Sequence, residues 1–589
     1  MNDLKRAVND TDCNPFIKLI LTRCIHCTRC VRFLREIAGD YSLGMLGRGQ
    51  LSEIGLYTRN ILVNELSSNI IDFCPVGALT NKNFALNYRS WDSHYVDSID
   101  LMDTFLSSVR IYNDNLKIKR ILSNYNNNFD AYWISDKSRY FFDSLKIQRL
   151  TFPLIKKKKK LLIDSFKSDT SFFIASSWKN ISNCLKDFII LNSNKLLIKS
   201  VLGDFVDIES LNFLKYFTFK LGSNNLINNS ENSNIEINYN YINFDYELNY
   251  INSSKINLHN YDFYIFYNYN LRLENPVLNS KLRQKIIWFN FNNLFFFGTN
   301  YNLTYKYYHL SNNHIDFVKF IFGKHWLCNI LLKFNNIAFI YGNTIFTDFF
   351  IKTSWSFYLT KLNELKKKLF CIKNKHFDIF YLTSSITTIS SFDLLFLSKK
   401  KLSTINNLIY YVGVNQLSFK INKFNGSNFL FKNSFFIYQN SFFDNNFKFC
   451  NIMLPVYTCF ELENQYFINN MGLIKQNIKV EINLEEFLKS HIDTLKFLFK
   501  IINFKSNKQL DINLIDNLLF YLYFNFRLIF INKIYYKFLF KNFYIVKYKN
   551  FHLISIHKNF YKSNIYCFYS KQLNMMSNLF FKDKSTFEI

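Results

Sequence analysis

Short apolar runs divide most of the chain beyond about residue 151. Each run has four to six residues, and segments long enough for helices separate the runs. Short buried strands that alternate with helices are typical of a parallel sheet in α/β units. The pattern therefore predicts an α/β fold with parallel sheets. The strand candidates are Tyr264–Tyr267, Ile286–Phe291, Ile337–Tyr341, Ile409–Val412 and Phe435–Tyr438.

The first 150 residues carry other patterns. Apolar residues recur with helical spacing over Val31–Ala38, and Gly39 is a suitable stop for that helix. Alternation in Ser108–Tyr112 and in Lys117–Leu122 predicts two strands joined by the turn Asn113–Asn115. A glycine-marked loop is expected after the helix, at Gly44, Gly47, Gly49 and Gly55.

Composition and charge narrow the function classes. The chain has 68 Phe and 38 Tyr against 14 Gly and 5 Pro. Codons for Phe, Tyr, Asn, Ile and Lys are A+T-rich, so we expect a gene from an A+T-biased genome such as an organelle's. The net charge of +28 is compatible with nucleic acid or an acidic membrane surface. No nucleic-acid module is recognisable and lysines are scattered, so we expect no nucleic-acid partner. The run Lys156–Lys160 is either a solvated face or a docking patch.

Membrane and targeting signals are not recognisable. No uncharged apolar run reaches the length of about 18 residues that a membrane-spanning helix requires. The chain begins with neither a signal peptide nor a long Arg-rich leader. We therefore expect no transmembrane segment, and a protein that is made where it works or has lost a leader.

Three cysteines fall within seven residues, in the spacing C-x2-C-x2-C at Cys24, Cys27 and Cys30. A fourth, Cys74, precedes Pro75. Three closely spaced thiolates with a remote Cys-Pro form the ligand set of a [4Fe–4S] cluster, and iron–sulfur clusters select soft thiolate ligands. Because the triplet occurs once in the chain, we expect Cys74 to complete the same cluster. Pro75 disfavours a helical conformation at Cys74, which turns the thiol out of a helix.

Other interpretations of these cysteines remain open. Structural zinc usually takes two C-x2-4-C pairs, which leaves one Cys of the triplet unexplained, and inert core thiols are a further alternative. We expect His26 to be a neighbouring or surface residue rather than a ligand. The nearby cations either tune the cluster potential or form surface salt bridges; they are Arg23, Arg29, Arg32 and Arg48.

The seven other cysteines are odd in number and irregularly spaced, which disfavours a disulfide framework and fits a reducing compartment. They are Cys13, Cys184, Cys328, Cys371, Cys450, Cys459 and Cys567. No Walker or Rossmann glycine loop, H-E-x-x-H or G-x-S-x-G motif is present, so no flavin or nicotinamide site is visible.

These observations predict four regions in the 589 residues. Residues 1–90 form a [4Fe–4S] cluster domain, and residues 91–150 form a small β-rich linking segment. Residues 151–490 form the α/β domain, interrupted by a low-complexity insertion at 223–257. Residues 491–589 form a basic, aromatic C-terminal region without an assigned role.

The motifs resemble the large, 75-kDa-type iron–sulfur subunits of respiratory complex I, NADH:ubiquinone oxidoreductase. The resemblance is dense over residues 1–150 and thinner but collinear beyond, up to about residue 490. The matching stretches include Lys5–Val8, Thr22–Phe33, Glu36–Gly39, Leu46–Gly49, Asn69–Thr80, Trp133–Lys137, Leu202–Asp207, Asn275–Asn279, Tyr411–Gly413, Met453–Pro455 and Asn469–Gly472.

The resemblance implies a subunit of the peripheral arm, on the matrix side of the mitochondrial inner membrane. It implies one-electron relay through a single [4Fe–4S] cluster at Cys24, Cys27, Cys30 and Cys74, between NADH/FMN and ubiquinone. The domain over residues 151–490 would resemble molybdopterin oxidoreductases but serve as a scaffold, since 14 glycines are few for a pterin-phosphate site. The chain alone would carry no complete active site, no molybdopterin and no FMN.

The chain departs from the family at its N-terminus. The family's [2Fe–2S] domain and its H-x3-C-x2-C-x5-C site are absent, and Cys13 has no neighbours at the required spacing. We therefore expect a truncated member whose partners are other peripheral-arm subunits, including a separate chain that supplies the missing [2Fe–2S] and [4Fe–4S] domain. The further [4Fe–4S] cluster of some bacterial members is also absent, because no Cys lies between Cys74 and Cys184.

Two other functions compete with the relay. One is an active molybdenum oxidoreductase similar to formate dehydrogenase, which stoichiometric molybdenum or tungsten would reveal. The other is a non-redox assembly scaffold with zinc at the four cysteines, which a dithionite-bleached visible absorbance would exclude.

Overall fold

The computed structural model describes most of the chain. The described residues are 8–57, 61–114, 117–126, 131–158, 171–191, 198–220, 225–228, 261–342, 361–362, 364–365, 369, 376–383, 385–393, 408–414, 434–444, 447–462, 465–470, 473–480, 487–502 and 559–586. The expected insertion at 223–257 falls outside them except for 225–228, as do Lys159 and Lys160 of the lysine run.

A small antiparallel sheet opens the chain, in the order β1-β2-β5. Its strands are β1 (Thr11–Asp12), β2 (Ile17–Leu19) and β5 (Leu79–Asn81). Between β2 and β5 lie helix α1 (Arg29–Arg32), a π-helical turn (Phe33–Ala38), the hairpin β3 (Leu43–Leu46) and β4 (Glu53–Leu56), and helix α2 (Ile70–Phe73). The sheet thus brings the two ends of the cysteine-bearing segment together.

The predicted helix over residues 31–38 is confirmed, with its last six residues, Phe33–Ala38, wound as a π-helix. Gly39 ends it in the left-handed region, at φ 78°. The expected glycine loop is only partly correct, because Gly44 and Gly55 pair across the β3–β4 hairpin. Gly47 and Gly49 lie in its turn with positive φ, which glycine adopts readily.

A second antiparallel sheet has the order β6-β7-β8. Its strands are β6 (His94–Ile99), β7 (Ser108–Asp114) and β8 (Lys117–Ser123). The two alternating stretches predicted as a hairpin are β7 and β8, which confirms that prediction. Helix α3 (Asp136–Tyr140) and a 3₁₀ segment (Phe141–Lys146) follow.

Two larger sheets confirm the α/β class. The five-stranded sheet is parallel throughout, in the order β15-β14-β13-β16-β17. The seven-stranded sheet has the order β10-β9-β20-β19-β18-β11-β12, with β20 to β12 parallel and the hairpin β9–β10 antiparallel at one edge. These strands are β9 (Leu154–Lys158), β10 (Ser171–Ala175), β11 (Ile198–Leu202), β12 (Asn225–Asn228), β13 (Phe263–Tyr267), β14 (Leu294–Phe297), β15 (Tyr308–Ser311), β16 (Asn336–Gly342), β17 (His376–Leu382), β18 (Leu408–Val412), β19 (Phe435–Asn440) and β20 (Ile452–Pro455).

Helices connect and cover these strands, and a further hairpin joins β21 and β22. The elements are α4 (Trp178–Leu191), α5 (Ile208–Lys220), α6 (Leu271–Glu274), α7 (Pro276–Phe289), α8 (His314–Ile321), α9 (Leu327–Leu331), α10 (Ile386–Asp393), β21 (Gln465–Ile468), β22 (Ile474–Asn477), α11 (His491–Ile502), α12 (Ile565–Tyr569) and α13 (Lys571–Thr586). None of the helices in the described part of the chain is long and apolar enough to cross a bilayer.

One strand prediction is wrong. Residues 286–291 form the end of α7 and its exit rather than a strand. Pro276 starts this 14-residue helix at a position where proline is tolerated, and Asn290 ends it in the left-handed region at φ 49°. The apolar run is partly a surface feature, since Phe289 is 74% exposed. The strand lies just beyond, at β14; the other four strand candidates are confirmed as parts of β13, β16, β18 and β19.

The C-terminal segment returns to the N-terminal core. Phe16 stacks on Tyr140 at 4.1 Å between ring centroids, and Tyr561 lies against the same Phe16 ring at 6.4 Å. Tyr566 and Cys567 of α12 are buried in the same hydrophobic cluster, which also contacts Cys24, Cys30 and Cys74. Side chains from both ends of the chain therefore support the cysteine-bearing segment.

Candidate iron–sulfur site

The loop from Cys24 to Cys30 has an unusual backbone. Cys24 is extended at the end of a 3₁₀ turn (Leu21–Arg23). His26 and Thr28 are left-handed, at φ 56° and 59°, a conformation that is costly for residues with a side chain. Helix α1 then begins at Arg29 and contains Cys30. The repeated reversals bend the chain into a tight curve with a thiol at each of three positions.

Cys74 comes from a different part of the chain, directly after α2. Helix α2 ends at Phe73, and Cys74 is extended at φ −81° and ψ 110°, as its position before Pro75 predicts. The backbone N–H of Leu79 donates a hydrogen bond to the Cys74 sulfur at 3.4 Å. Such a donor orients the Cys74 side chain, and hydrogen bonds to sulfur ligands are one means by which a protein tunes a bound cluster.

The structure brings the four predicted cysteines together. Burial raises the pKa of the Cys30 thiol to about 11, the Val31 N–H opposes this, and interaction with Cys24, Cys74 and Cys27 raises the pKa further. All four side chains are half-buried. Thiols in this setting become thiolates when coordination supplies the compensating positive charge.

The site offers four thiol donors. Among the described residues, no three His, Cys, Asp or Glu side chains lie close enough to share one metal ion. Zinc would draw its sulfur ligands to about 2.3 Å from one centre, whereas a cubane holds its thiolates on four separate irons. Four thiolates are the ligands that a [4Fe–4S] cluster takes, so the residue types at this site fit that group.

Three aromatic side chains belong to, or pack against, the hydrophobic cluster that Cys24, Cys30 and Cys74 also contact. Phe33 and Phe73 pack at 4.8 Å between centroids, and Trp133 contacts Phe33 edge-on at 6.1 Å. His26 is exposed, which agrees with its expected role as a non-ligand. The four arginines expected near the motif are also exposed, so solvent screens their charges from the site.

Cys13 is a buried neighbour rather than part of the set. Burial raises the pKa of its thiol to about 12, with Cys30 as the next cause. It is 1% exposed and lies in the hydrophobic core. Its position beside Cys30 could not be inferred from sequence spacing.

An ion pair close to Cys74 was also missed. Arg139 contacts Asp72 at 2.6 Å, and Asp72 lies two residues before Cys74. The nearest sequence signal is Trp133–Lys137, which resembles a stretch of the complex I family but does not identify the partner of Asp72.

Three family descriptions match the chain. Molybdopterin oxidoreductase covers residues 149–484, and the ferredoxin-like domain of NADH-quinone oxidoreductase subunit 3 covers residues 14–80. The 4Fe-4S domain of NDSU1/NuoG-like NADH-ubiquinone oxidoreductases covers residues 93–143. The fold and the site thus define an iron–sulfur protein built on a molybdopterin-oxidoreductase framework.

The relatives narrow this class. The 75 kDa subunit of NADH-ubiquinone oxidoreductase of Reclinomonas americana is 33% identical over 440 residues, which cover 72% of this chain and 61% of that protein. The corresponding subunit of Acanthamoeba castellanii is 35% identical over 57% of this chain and 47% of its own length. That of Dictyostelium citrinum is 40% identical over 47% and 39%. The chain belongs to the molybdopterin oxidoreductase family, in the group of the 75-kDa-type iron–sulfur subunits of complex I.

The match covers roughly two fifths to three fifths of the length of these relatives. A solved formyltransferase/hydrolase complex from Methylorubrum extorquens also overlaps 57% of the chain, with a TM-score of 0.39 and 9% identity, a similarity too remote to inform function.

Residues 93–143 match an iron–sulfur domain but contain no cysteine. This segment therefore has no thiolate to offer a cluster, in agreement with the expectation for residues between Cys74 and Cys184. Its retention requires another explanation.

Proposed function

We propose that the chain is an electron-relay subunit of complex I, in which Cys24, Cys27, Cys30 and Cys74 hold one [4Fe–4S] cluster between NADH/FMN and ubiquinone. The observation that carries the proposal is the meeting of these four thiols around Cys30. It occurs inside the segment that matches a Nqo3 ferredoxin-like domain. When bound, the cluster supplies reversible one-electron redox chemistry.

The protein's own residues have three tasks in this proposal. The four cysteines fix the site, and the Leu79 N–H stabilises negative charge on the Cys74 sulfur. Phe33, Phe73 and Trp133 exclude water from one side. Burial and sulfur hydrogen bonds are the main means by which a protein sets a cluster potential. No bond of a substrate is made or broken on this chain.

We propose that the domain over residues 149–484 is a scaffold without molybdopterin. The experiment is elemental analysis of the purified complex. We expect iron and acid-labile sulfide in the proportion of its clusters, and no molybdenum or tungsten. Stoichiometric molybdenum or tungsten assigned to this chain would overturn the proposal.

We also propose that another subunit of the peripheral arm docks beside the site and passes the electron to this chain. The outer face near the site supports this, because Ile25 and Leu51 are 61% and 68% exposed. Arg29, the first residue of α1, and Arg48, between β3 and β4, are also exposed. Apolar side chains among cations fit an acidic partner surface, and rim charges chiefly set the rate of association.

Charge reversal tests this docking. Arg48→Glu should slow reassembly with the partner and weaken its dependence on salt, whereas the exposed scaffold variant Lys324→Glu should not. Equal effects of the two variants would contradict docking at this face. The position of the complex, on the matrix side of the mitochondrial inner membrane, follows from the proposed function and is testable by protease protection in mitoplasts.

Replacement of a ligand tests the relay itself. In the purified complex, Cys27→Ala should remove one [4Fe–4S] EPR signal and quinone reduction, while NADH still reduces the flavin. Cys13→Ala removes a buried thiol close to Cys30 and should keep that signal. Normal quinone reduction in Cys27→Ala contradicts the relay, and a missing visible absorbance bleached by dithionite in the wild type would favour zinc.

A further inference from the structure

Near its end, the cysteine-free segment 93–143 forms hydrogen bonds with the turn that precedes Cys74. We call residues 133–139 the clasp segment. It lies directly against residues 65–72, which lead into the Cys74 turn. The two segments are separated by more than 60 positions in sequence, so these contacts are tertiary.

Asp136 holds the start of this turn. Its carboxylate accepts hydrogen bonds from the Ser67 hydroxyl at 2.6 Å and from the Ser68 N–H at 3.0 Å. Its own N–H donates to the Glu65 carbonyl at 2.9 Å. Asp136 is fully buried, and a buried carboxylate is tolerated only where hydrogen bonds compensate its desolvation.

Asn69 continues the contact. Its side-chain amide donates to the Ile134 carbonyl at 2.8 Å and accepts from the Ile134 N–H at 3.1 Å. The Asn69 side chain thus pairs with both backbone groups of Ile134, as the backbone of a neighbouring β-strand would. It fixes the approach of the two segments where α2 begins.

Arg139 forms the contact of the clasp segment that lies nearest to Cys74 in sequence. Its guanidinium donates to both carboxylate oxygens of Asp72, at 2.6 and 3.3 Å, and to the Asn69 side-chain oxygen at 2.9 Å. The Arg139 side chain is 4% exposed and that of Asp72 is 32% exposed. Bidentate charge-assisted bonds combine strength with fixed geometry, and Asp72 is two residues from Cys74.

We propose that Arg139 and Asp136 are positioning residues for the cluster, and that segment 93–143, without thiolates of its own, serves to hold Cys74 in its ligating conformation. This inference rests on the proposed function, since it assumes that Cys74 is a ligand. It assigns a role to a segment that matches an iron–sulfur domain but contains no cysteine.

The arrangement has two measurable consequences. Without Arg139, α2 loses its tie to the clasp segment, and Cys74 is released from the cluster more often. Without Arg139, Asp72 also keeps a negative charge near the site with no guanidinium against it. Added negative charge stabilises the oxidised form of a cluster, so its midpoint potential falls.

Four variants of the complex test the inference. Arg139→Gln removes the charge and the bidentate contact, Arg139→Lys keeps the charge, and Asp136→Asn keeps the volume with altered donors. Arg110→Gln is the control, because Arg110 belongs to the same segment but forms an exposed pair with Asp97 at 3.0 Å. The readouts are the rate of iron loss to a chelator, the EPR signal, the midpoint potential, and hydrogen exchange over residues 66–74.

We expect iron loss about ten- to a hundredfold faster in Arg139→Gln and Asp136→Asn, the range typical for residues that support metal ligands. The midpoint potential should fall in Arg139→Gln and be largely restored in Arg139→Lys. Arg110→Gln should match the wild type. If the rate of iron loss and the midpoint potential in Arg139→Gln and Asp136→Asn equal those of the wild type, the proposed positioning role of the clasp segment is wrong. The proposed electron relay is not contradicted by that result. A wild-type chain without a cluster would instead contradict the relay.

Discussion

The Tyr561 hydroxyl donates a hydrogen bond to the Asn64 carbonyl at 3.1 Å, and the two residues are 497 positions apart. Tyr561 is fully buried, and Asn64 lies at the start of the segment that leads to Cys74. The C-terminal segment therefore contacts the same turn that the clasp segment holds.

Removal of this hydroxyl should lower stability. In Tyr561→Phe, the Asn64 carbonyl loses one of its two donors, since the Ser67 N–H remains at 3.2 Å, and the free energy of unfolding should fall by about 1 kcal/mol. Urea titration of the purified chain measures the change. Tyr132→Phe is the control, because Tyr132 is 64% exposed, and its midpoint should not move. If both variants unfold alike, this contact contributes nothing.

Two glycines near the cysteines allow the cost of a left-handed backbone to be measured apart from the cost of a steric clash. Both are left-handed, at φ 78° for Gly39 and 62° for Gly49. A Cβ at Gly39 would lie 2.5 Å from the Thr304 Cβ, while a Cβ at Gly49 would meet nothing within 4 Å. Gly49→Ala should therefore cost about 1–2 kcal/mol for its conformation alone.

Gly39→Ala should cost about 1–3 kcal/mol more than Gly49→Ala, since overpacking is added to the strain. Gly39 also ends the helix that carries Cys30, and Arg283 donates to the Arg35 and Glu36 carbonyls there at 2.8 and 3.0 Å. Thermal unfolding followed at the N-terminal region compares the two. Equal costs would show that Thr304 moves aside freely.

A buried ion pair joins residue 149 to the end of the scaffold. Arg149 contacts Glu461 at 2.8 Å, and the side chains are 8% and 5% exposed. Loss of one partner leaves a buried charge, so Arg149→Met should destabilise by about 3–5 kcal/mol. The double variant with Glu461→Met should lose much less than the sum of the single variants.

The surface pair Lys361–Glu364 provides the matched control. It has the same separation of 2.8 Å, but the side chains are 31% and 52% exposed. Glu364→Gln should therefore change the free energy of unfolding by about 1 kcal/mol at most. If the losses in free energy of unfolding of Arg149→Met and Glu461→Met simply add in the double variant, the two charges act independently.

Stability should fall as the pH rises from about 4 to 7. Burial raises the pKa of Asp100 to about 7, and the charge of Asp103 adds to this. Between the two pKa values the folded chain keeps a proton that the unfolded chain has released, so folding is penalised by about 1.4 kcal/mol per pH unit. Below that range both states are protonated, and the full stability is present.

Asp100→Asn should lower the slope of this part of the pH profile by about 1.4 kcal/mol per pH unit, because an amide does not titrate. The slope that remains is expected from Asp136, since burial raises its pKa to about 7 as well. Apparent unfolding midpoints between pH 5.5 and 8 give the slopes. Asp100 also accepts the Met102 N–H at 2.8 Å, a contact that an Asn oxygen preserves. Parallel profiles for the two proteins would assign the pH dependence to other groups.

Local patterns in the sequence were informative where the determinants are local. The spacing of Cys24, Cys27 and Cys30, the Cys74–Pro75 pair and the stop at Gly39 depend on neighbours within a few positions. The run Ile286–Phe291 misled, because a short apolar stretch cannot be told from a helix end by periodicity alone. The preceding residues from Pro276 make the helix and carry it through the run.

Contacts between residues that are distant in sequence could not be predicted, for a different reason. Nothing near Asp72 identifies Arg139 as its partner 67 positions away, and nothing near Asn64 identifies Tyr561. The division of the chain at residues 90, 150 and 490 likewise stays a prediction.

The burial of Tyr566 and Cys567 beside N-terminal side chains has a consequence for biosynthesis. Chains emerge from the ribosome with the N-terminus first, and domains generally fold in that order. Here the cysteine-bearing segment lacks part of its interior until Tyr566 and Cys567 have been synthesised, more than 490 positions later. A chain that stops before these residues would expose an apolar gap beside Cys24, Cys30 and Cys74, which marks it for proteolysis.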